Sequence, residues 1–146
     1  MSLRRMMFAG AMALLSTSAL AAQSMDVFST SGCSCCLGWI KHMEEAGFVV
    51  EKTDLAMADL WAKKLGAGLK DGQTSCHTGF VGGYVVEGHV PAAEVKRLLV
   101  EKPDAVGLAV PGMPMGSPGM GVSDEKYEVL LVMRDGSSSV YASYPK

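Results

Sequence analysis

Three thiols fall within four residues, at Cys33-Ser34-Cys35-Cys36, and the chain changes character on either side of them. Residues 25–29 (MDVFS) read as a short strand and Thr30-Ser31-Gly32 as a turn. Residues 33–46 read as a helix that Gly47 stops as a left-handed cap. A sulfur cluster set between a strand and a helix start fixes the order of the elements around it. It also puts the thiols where a helix N-terminus favours thiolate. Thiolate serves disulfide exchange and metal ligation alike, so the placement alone leaves both chemistries open.

Cys33 and Cys36 form a C-x-x-C pair at a strand–turn–helix junction, the placement used by thioredoxin-like redox sites. Cys35 discriminates. A dithiol oxidoreductase needs one attacking and one resolving thiol, and a third neighbour competes with both. Three thiolates this close suit soft metals that accept bridging sulfur, above all Cu(I). Zinc sites space their ligands further apart. Cys76 completes a four-thiolate site if its loop folds over the helix start. Two other classes stand beside this copper-binding reading. One is a thiol–disulfide oxidoreductase with Cys33 attacking and Cys36 resolving. The other is a binding module stapled by two ordinary disulfides, for which four cysteines allow three pairings, although adjacent Cys35 and Cys36 make poor staples.

The rest of the chain reads as one domain. With 146 residues, 49% of them hydrophobic, it can bury a substantial core, and this composition excludes intrinsic disorder for most of its length. Residues 48–55 (FVVEKTDL) return as a strand. Asp54 or Asp59 can cap a second helix in which Leu55, Ala58, Ala62 and Leu65 recur at helical spacing. Residues 66–78 read as a polar loop holding Ser75-Cys76-His77-Thr78. Residues 80–87 (FVGGYVVE) read as one strand weakened or bulged by its glycine pair. Pro91 opens a third helix whose core face is Val95, Leu98 and Leu99 and which Pro103 ends. The Pro and Gly of residues 107–121 (GLAVPGMPMGSPGMG) exclude regular structure, and a hairpin follows, residues 127–133 and 139–144 around Asp135-Gly136. The order β-α-β-α-β-α-loop-β-β, without internal repeats, describes an α/β sandwich.

His77 and His89 both read as loop residues whose side chains can reach a site; the alternative for each is an imidazole that is solvent-exposed or already satisfied. His42 shares a helical face with Cys35 and Trp39 but lies about 10 Å further along, in a packing role or behind the ligands. Met43 and Met57 read as core filler. Met113, Met115 and Met120 sit in a Pro/Gly loop with no helical face to fill. Thioethers bind Cu(I) and form no disulfides, which suits copper handling under oxidising conditions; the alternative is that they plug onto the core.

The first 21 residues read as a secretory signal peptide. Arg4 and Arg5 precede a short apolar stretch, and Ala19-Leu20-Ala21 supplies the cleavage site. That stretch is too short to span a bilayer, which takes roughly 20 apolar residues. Residues 22–146 are then the mature domain, carried with all four cysteines into a compartment that oxidises thiols. Removing Arg4 and Arg5 takes thirteen basic residues to eleven and the net charge from −2 to −4. With no cationic run, nucleic acid is excluded as a partner.

Four blocks carry a resemblance that covers nearly the whole mature chain. The first is Cys33-Ser34-Cys35-Cys36 with Trp39, His42 and Gly47-Phe48. The second is Ser75-Cys76-His77-Thr78, and the third runs from Tyr84 to Pro91 (YVVEGHVP). The fourth joins GLAVPGMP at residues 107–114 to GSPGM at residues 116–120. Together they closely resemble the CopG family of exported bacterial copper-resistance proteins. The resemblance implies a thioredoxin-like sandwich with the Cys-x-Cys-Cys motif at the first helix N-terminus. It also implies a periplasmic location and a role in copper tolerance, alongside other periplasmic copper-handling proteins. It marks Cys33, Cys35, Cys36 and Cys76 as the expected copper-binding set, and His77, His89, Met113 and Met120 as signature positions without settling which of them are ligands.

Overall fold

The computed structural model describes residues 23–146; the leader read at residues 1–21 lies outside the described residues. A seven-stranded mixed sheet forms the centre, in the order β2-β1-β3-β4-β5-β6-β7. Its strands are β1 (Ser24–Ser29), β2 (Val49–Asp54), β3 (His77–Val81), β4 (Tyr84–Glu87), β5 (Gly107–Ala109), β6 (Tyr127–Val132) and β7 (Ser138–Tyr144). Three helices pack on it, α1 (Ser34–Glu45), α2 (Met57–Gly66) and α3 (Ala92–Glu101). Pairing is parallel at β1/β2 and β4/β5 and antiparallel elsewhere. The architecture is the thioredoxin-like sandwich with a C-terminal hairpin. Among the described residues no helix is long and apolar enough to cross a membrane.

Strand alternation divides the core in two. On one face Met25, Val27, Val86, Leu108 and Val129 meet Trp39, Ile40 and Met43 of α1 and Val95 and Leu98 of α3. On the other a smaller cluster of Leu69, Val85, Ala109 and Val132 lies beside Phe80, and Lys63 of α2 stacks over the Phe28 ring, 3.9 Å from its centroid. The sheet thus separates α1 and α3 from α2.

Several sequence expectations change here. The FVGGYVVE run is two strands, not one: Val81 pairs with Tyr84, and Gly82 and Gly83 between them take φ of +57° and +84°. Two consecutive positive φ values make a tight hairpin turn that twists with its strands. His77 and Thr78 accordingly open β3 instead of lying in a loop, and residues 107–109, expected to be irregular, form β5. In α2 the buried face is Leu60 with Lys64, not Leu55, Ala58, Ala62 and Leu65. Met57 is 58% exposed and Leu65 54%, so Met57 is not core filler. No side chain caps α2; Ala56 holds the N-cap position and Asp59 sits in the first turn.

Candidate metal centre

The sulfur cluster sits at the N-terminus of α1, where Cys33 is the N-cap and its carbonyl accepts from Leu37 N–H, 3.2 Å. Cys33 and Cys36 are joined by a disulfide, with Cα atoms 5.3 Å apart. Cys35 and Cys76 are free thiols. The two-disulfide staple is therefore not what this chain forms. Cys35 Sγ lies 3.5 Å from Cys33 Sγ and 3.9 Å from Cys76 Sγ. All four sulfurs fall within 4.8 Å of one another, although Cys76 is 41 residues from Cys35 in the chain. It arrives because β3 runs antiparallel beside β1, bringing the residue before β3 to the end of β1 that feeds α1.

A second donor group shares Cys76. His77 Nδ1 is 3.3 Å and His89 Nε2 3.1 Å from its Sγ, and the three ligand atoms also lie within 4.8 Å of one another. His89 Nδ1 stands 2.8 Å from the carbonyl oxygen of Pro118. A carbonyl only accepts, so Nδ1 carries the proton and Nε2 turns its lone pair toward Cys76. Trp39 braces the same segment, its indole N–H donating to the Val90 carbonyl at 2.8 Å. His77 is fully buried with its ring against Trp39, centroids 4.3 Å apart. Its Nε2 has no hydrogen-bond partner. Such a group is uncommon in a protein interior.

Burial, followed by the neighbouring Cys35, pushes the Cys76 thiol up to about 12. At neutral pH it is a thiol donating to His89 Nε2, and a metal binding there must displace its proton. Burial lowers all three histidines: His77 well below its ordinary 6.5, helped by His89 and Lys64, and also His89 and His42. His42 takes no part in the cluster. Its Nε2 accepts from Ala92 N–H at 3.0 Å and so ties α1 to the first turn of α3.

These depressed histidines set a pH response. The unfolded chain takes up protons first as pH falls, so metal-free protein should keep full stability above about pH 7 and lose it as pH drops below 6.5. The slope is at most about 1.4 kcal/mol per pH unit for each imidazole that stays unprotonated in the folded chain, and His77, the most strongly depressed, should contribute most. Glu87, whose carboxyl burial raises, opposes this at the lower end, but one acid is set against two buried imidazoles. Urea unfolding at about pH 7.5 and about pH 6 checks it, and an unchanged stability would contradict it.

Met113 and Met115, 54% and 43% exposed, stand on the 110–126 strap that joins β5 to β6, and Met120 is half-buried on it. The strap is laid against α1 by Gly119, where a Cβ would stand 2.6 Å from Trp39 N and 2.7 Å from the Cys35 oxygen. The sequence reading missed the strap's Pro118 carbonyl and the buried Lys64–Glu87 pair, with Nζ to Oε1 2.6 Å. A signal existed for the second: Glu87 shares the alternating inward face of Val85.

A family model described as a protein of unknown function, DUF411, matches residues 73–120, a stretch that includes Cys76, His77, His89 and the strap as far as Met120. No curated protein matches the chain. Two solved structures do. One, named copper resistance protein copG, form 1, is 45% identical over 86% of this chain and 100% of its own, with a TM-score of 0.79. The other, form 2 of the same name, is 47% identical over the same shares, with a TM-score of 0.77. Identity at that level along the whole of the matched chains, with the fold shared, settles the family: the chain belongs to the CopG family of copper resistance proteins.

Proposed function

We propose that this is a periplasmic copper-binding protein of copper resistance that holds Cu(I) on the thiolates of Cys33, Cys35, Cys36 and Cys76, as a polynuclear cluster. His77, His89, Met113 and Met120 supply further ligands. One observation carries the reading: four sulfurs converge within 4.8 Å, and one of them also belongs to a group with two imidazoles. Bridging thiolates are the donors Cu(I) prefers over zinc-type spacing, while imidazole serves both copper oxidation states. His77 is fully buried with its Nδ1 3.3 Å from Cys76 Sγ, so an imidazole nitrogen already faces the shared thiol. Copper-resistance relatives support the same role, and the sequence reading of residues 1–21 as a secretory leader agrees with a periplasmic location.

The disulfide divides the donors. While Cys33 and Cys36 are bridged, Cys35, Cys76, His77 and His89 remain free to bind. Reduction, by two electrons and two protons, returns the other two thiols. Thiolates beside imidazoles give the protein a basis for passing electrons to or from copper. The same disulfide favours a second reading, a thiol–disulfide oxidoreductase in which Cys33 attacks and Cys36 resolves.

Native mass spectrometry of the mature protein, exported in copper-supplemented cells and kept anaerobic, separates the two. Several copper ions that leave together on Cys35→Ser substitution are the expected result. A metal-free mass lighter by two hydrogens, with turnover of a dithiol substrate, would put the oxidoreductase first.

A further inference from the structure

Under the sheet, on the side away from α1, lies a charged group that metal binding does not explain. Glu87 ends β4 fully buried, and Lys64 of α2 is 2% exposed. Glu87 Oε1 accepts from Lys64 Nζ and from the backbone N–H of Ser75, each at 2.6 Å. Its Oε2 accepts from the Thr78 hydroxyl at 2.6 Å, and that hydroxyl accepts from Lys64 Nζ at 2.8 Å. A buried ion pair is weak evidence of a stability device, because apolar side chains of similar volume often serve as well. What this pair touches is more telling.

Ser75 and Thr78 stand on either side of Cys76-His77. Alternation along β3 sends Thr78 to the α2 face and His77 to the α1 face. Cys76 precedes the strand, and the N–H of Ser75 beside it goes to a carboxylate instead of to a neighbouring strand. The backbone of Glu87 meanwhile accepts from Val110 N–H, 3.0 Å, where the chain leaves β5 for the strap, and the next residue, Gly88, donates to the His77 carbonyl, 3.0 Å. His89 follows directly. One residue therefore reaches both flanks of Cys76-His77, the approach to His89 and the root of the strap.

We infer that Glu87, neutralised by Lys64, is a positioning residue of the metal centre: through Ser75 and Thr78 it holds Cys76 at its distance from His89 and Cys35. The inference rests on reading Cys76 as a ligand, but its geometry stands without a metal. The clamp works from the opposite face of the sheet, so it can be removed without touching any donor atom.

The test is the Lys64→Met, Glu87→Leu double variant, which removes both charges together. It should retain parental circular dichroism. Iodoacetamide should modify Cys76 of the metal-free protein at least about fivefold faster, read by peptide mass, with Cys35 as the internal reference. Cu(I) affinity of the reduced protein should fall by about tenfold or more. Thr78→Ser, which keeps the hydroxyl donor, should match the parent, and Thr78→Val should move toward the double variant. A folded double variant with parental Cys76 reactivity and parental affinity would overturn the inference. If the double variant does not fold, the two Thr78 variants decide, and identical behaviour of the two overturns it. If the parent binds no Cu(I), copper binding fails as the function, and the alkylation ratio still decides the role of Glu87.

Discussion

Cys76→Ser is expected to remove copper from both donor groups at once, and to cost more affinity than any other single cysteine substitution. Cys76 is the one residue common to the four-sulfur set and the Cys76–His77–His89 set. A serine hydroxyl is a poor ligand for Cu(I), which selects thiolate and thioether. Losing a residue that merely orients a ligand costs about 10–100-fold in metal affinity, so loss of the shared ligand should exceed about 100-fold. The comparison that makes this specific is the Cys33→Ser, Cys36→Ser double variant. It removes two sulfurs from the first group but leaves the second whole, and should retain one tightly held copper. Competition against a chromophoric Cu(I) chelator under anaerobic conditions measures both. A Cys76→Ser protein with parental affinity would show that the imidazole group takes no part, and would leave the ligands on the α1 terminus alone.

Much of this arrangement was readable from the sequence, because the features that encode it are local. The Cys-x-Cys-Cys cluster, its strand before and its helix after are contiguous, and α1 and the C-terminal hairpin fall almost where their punctuation puts them. The approach of Cys76 was readable only conditionally, since it depends on strand order, and no local pattern says that β3 pairs with β1. The buried face of α2 was misread for a physical reason. Its inward position is a lysine, which periodicity counts as solvent-facing until its buried acid partner is known. Met57, Trp61 and Leu65, four residues apart, imitate a core stripe yet lie exposed. The role of His42 was half-legible: its distance from the cysteines follows from helical rise, but its bond to Ala92 N–H depends on α1 and α3 meeting on one face of the sheet. Backbone groups leave least trace of all, and the Pro118 carbonyl that sets the His89 tautomer is an example.

That carbonyl is the route by which a substitution that replaces none of the donor residues should reach the centre. Gly119 follows Pro118, holds φ of +89°, and packs its Cα against Gly38 on the outer side of α1. Gly119→Ala adds two costs. An L-residue with left-handed backbone gives up about 1–2 kcal/mol, and forcing a methyl into a filled contact gives up about 1–3 kcal/mol. The opposing atoms, Trp39 N and Cys35 O, are helix backbone and cannot rotate away. The loss should therefore approach about 3 kcal/mol in urea unfolding. Gly112→Ala supplies the contrast, with φ of +68° but nothing within 4 Å of the new Cβ; it should cost about 1–2 kcal/mol. The strap can relieve the Gly119 clash only by lifting from α1. Lifting carries the Pro118 carbonyl away from His89 Nδ1, and the ring loses the partner that fixes its tautomer and its aim at Cys76. Copper affinity should then drop by about 10–100-fold in Gly119→Ala and stay near parental in Gly112→Ala. Equal affinities in the two variants would mean that the strap covers the centre without orienting His89.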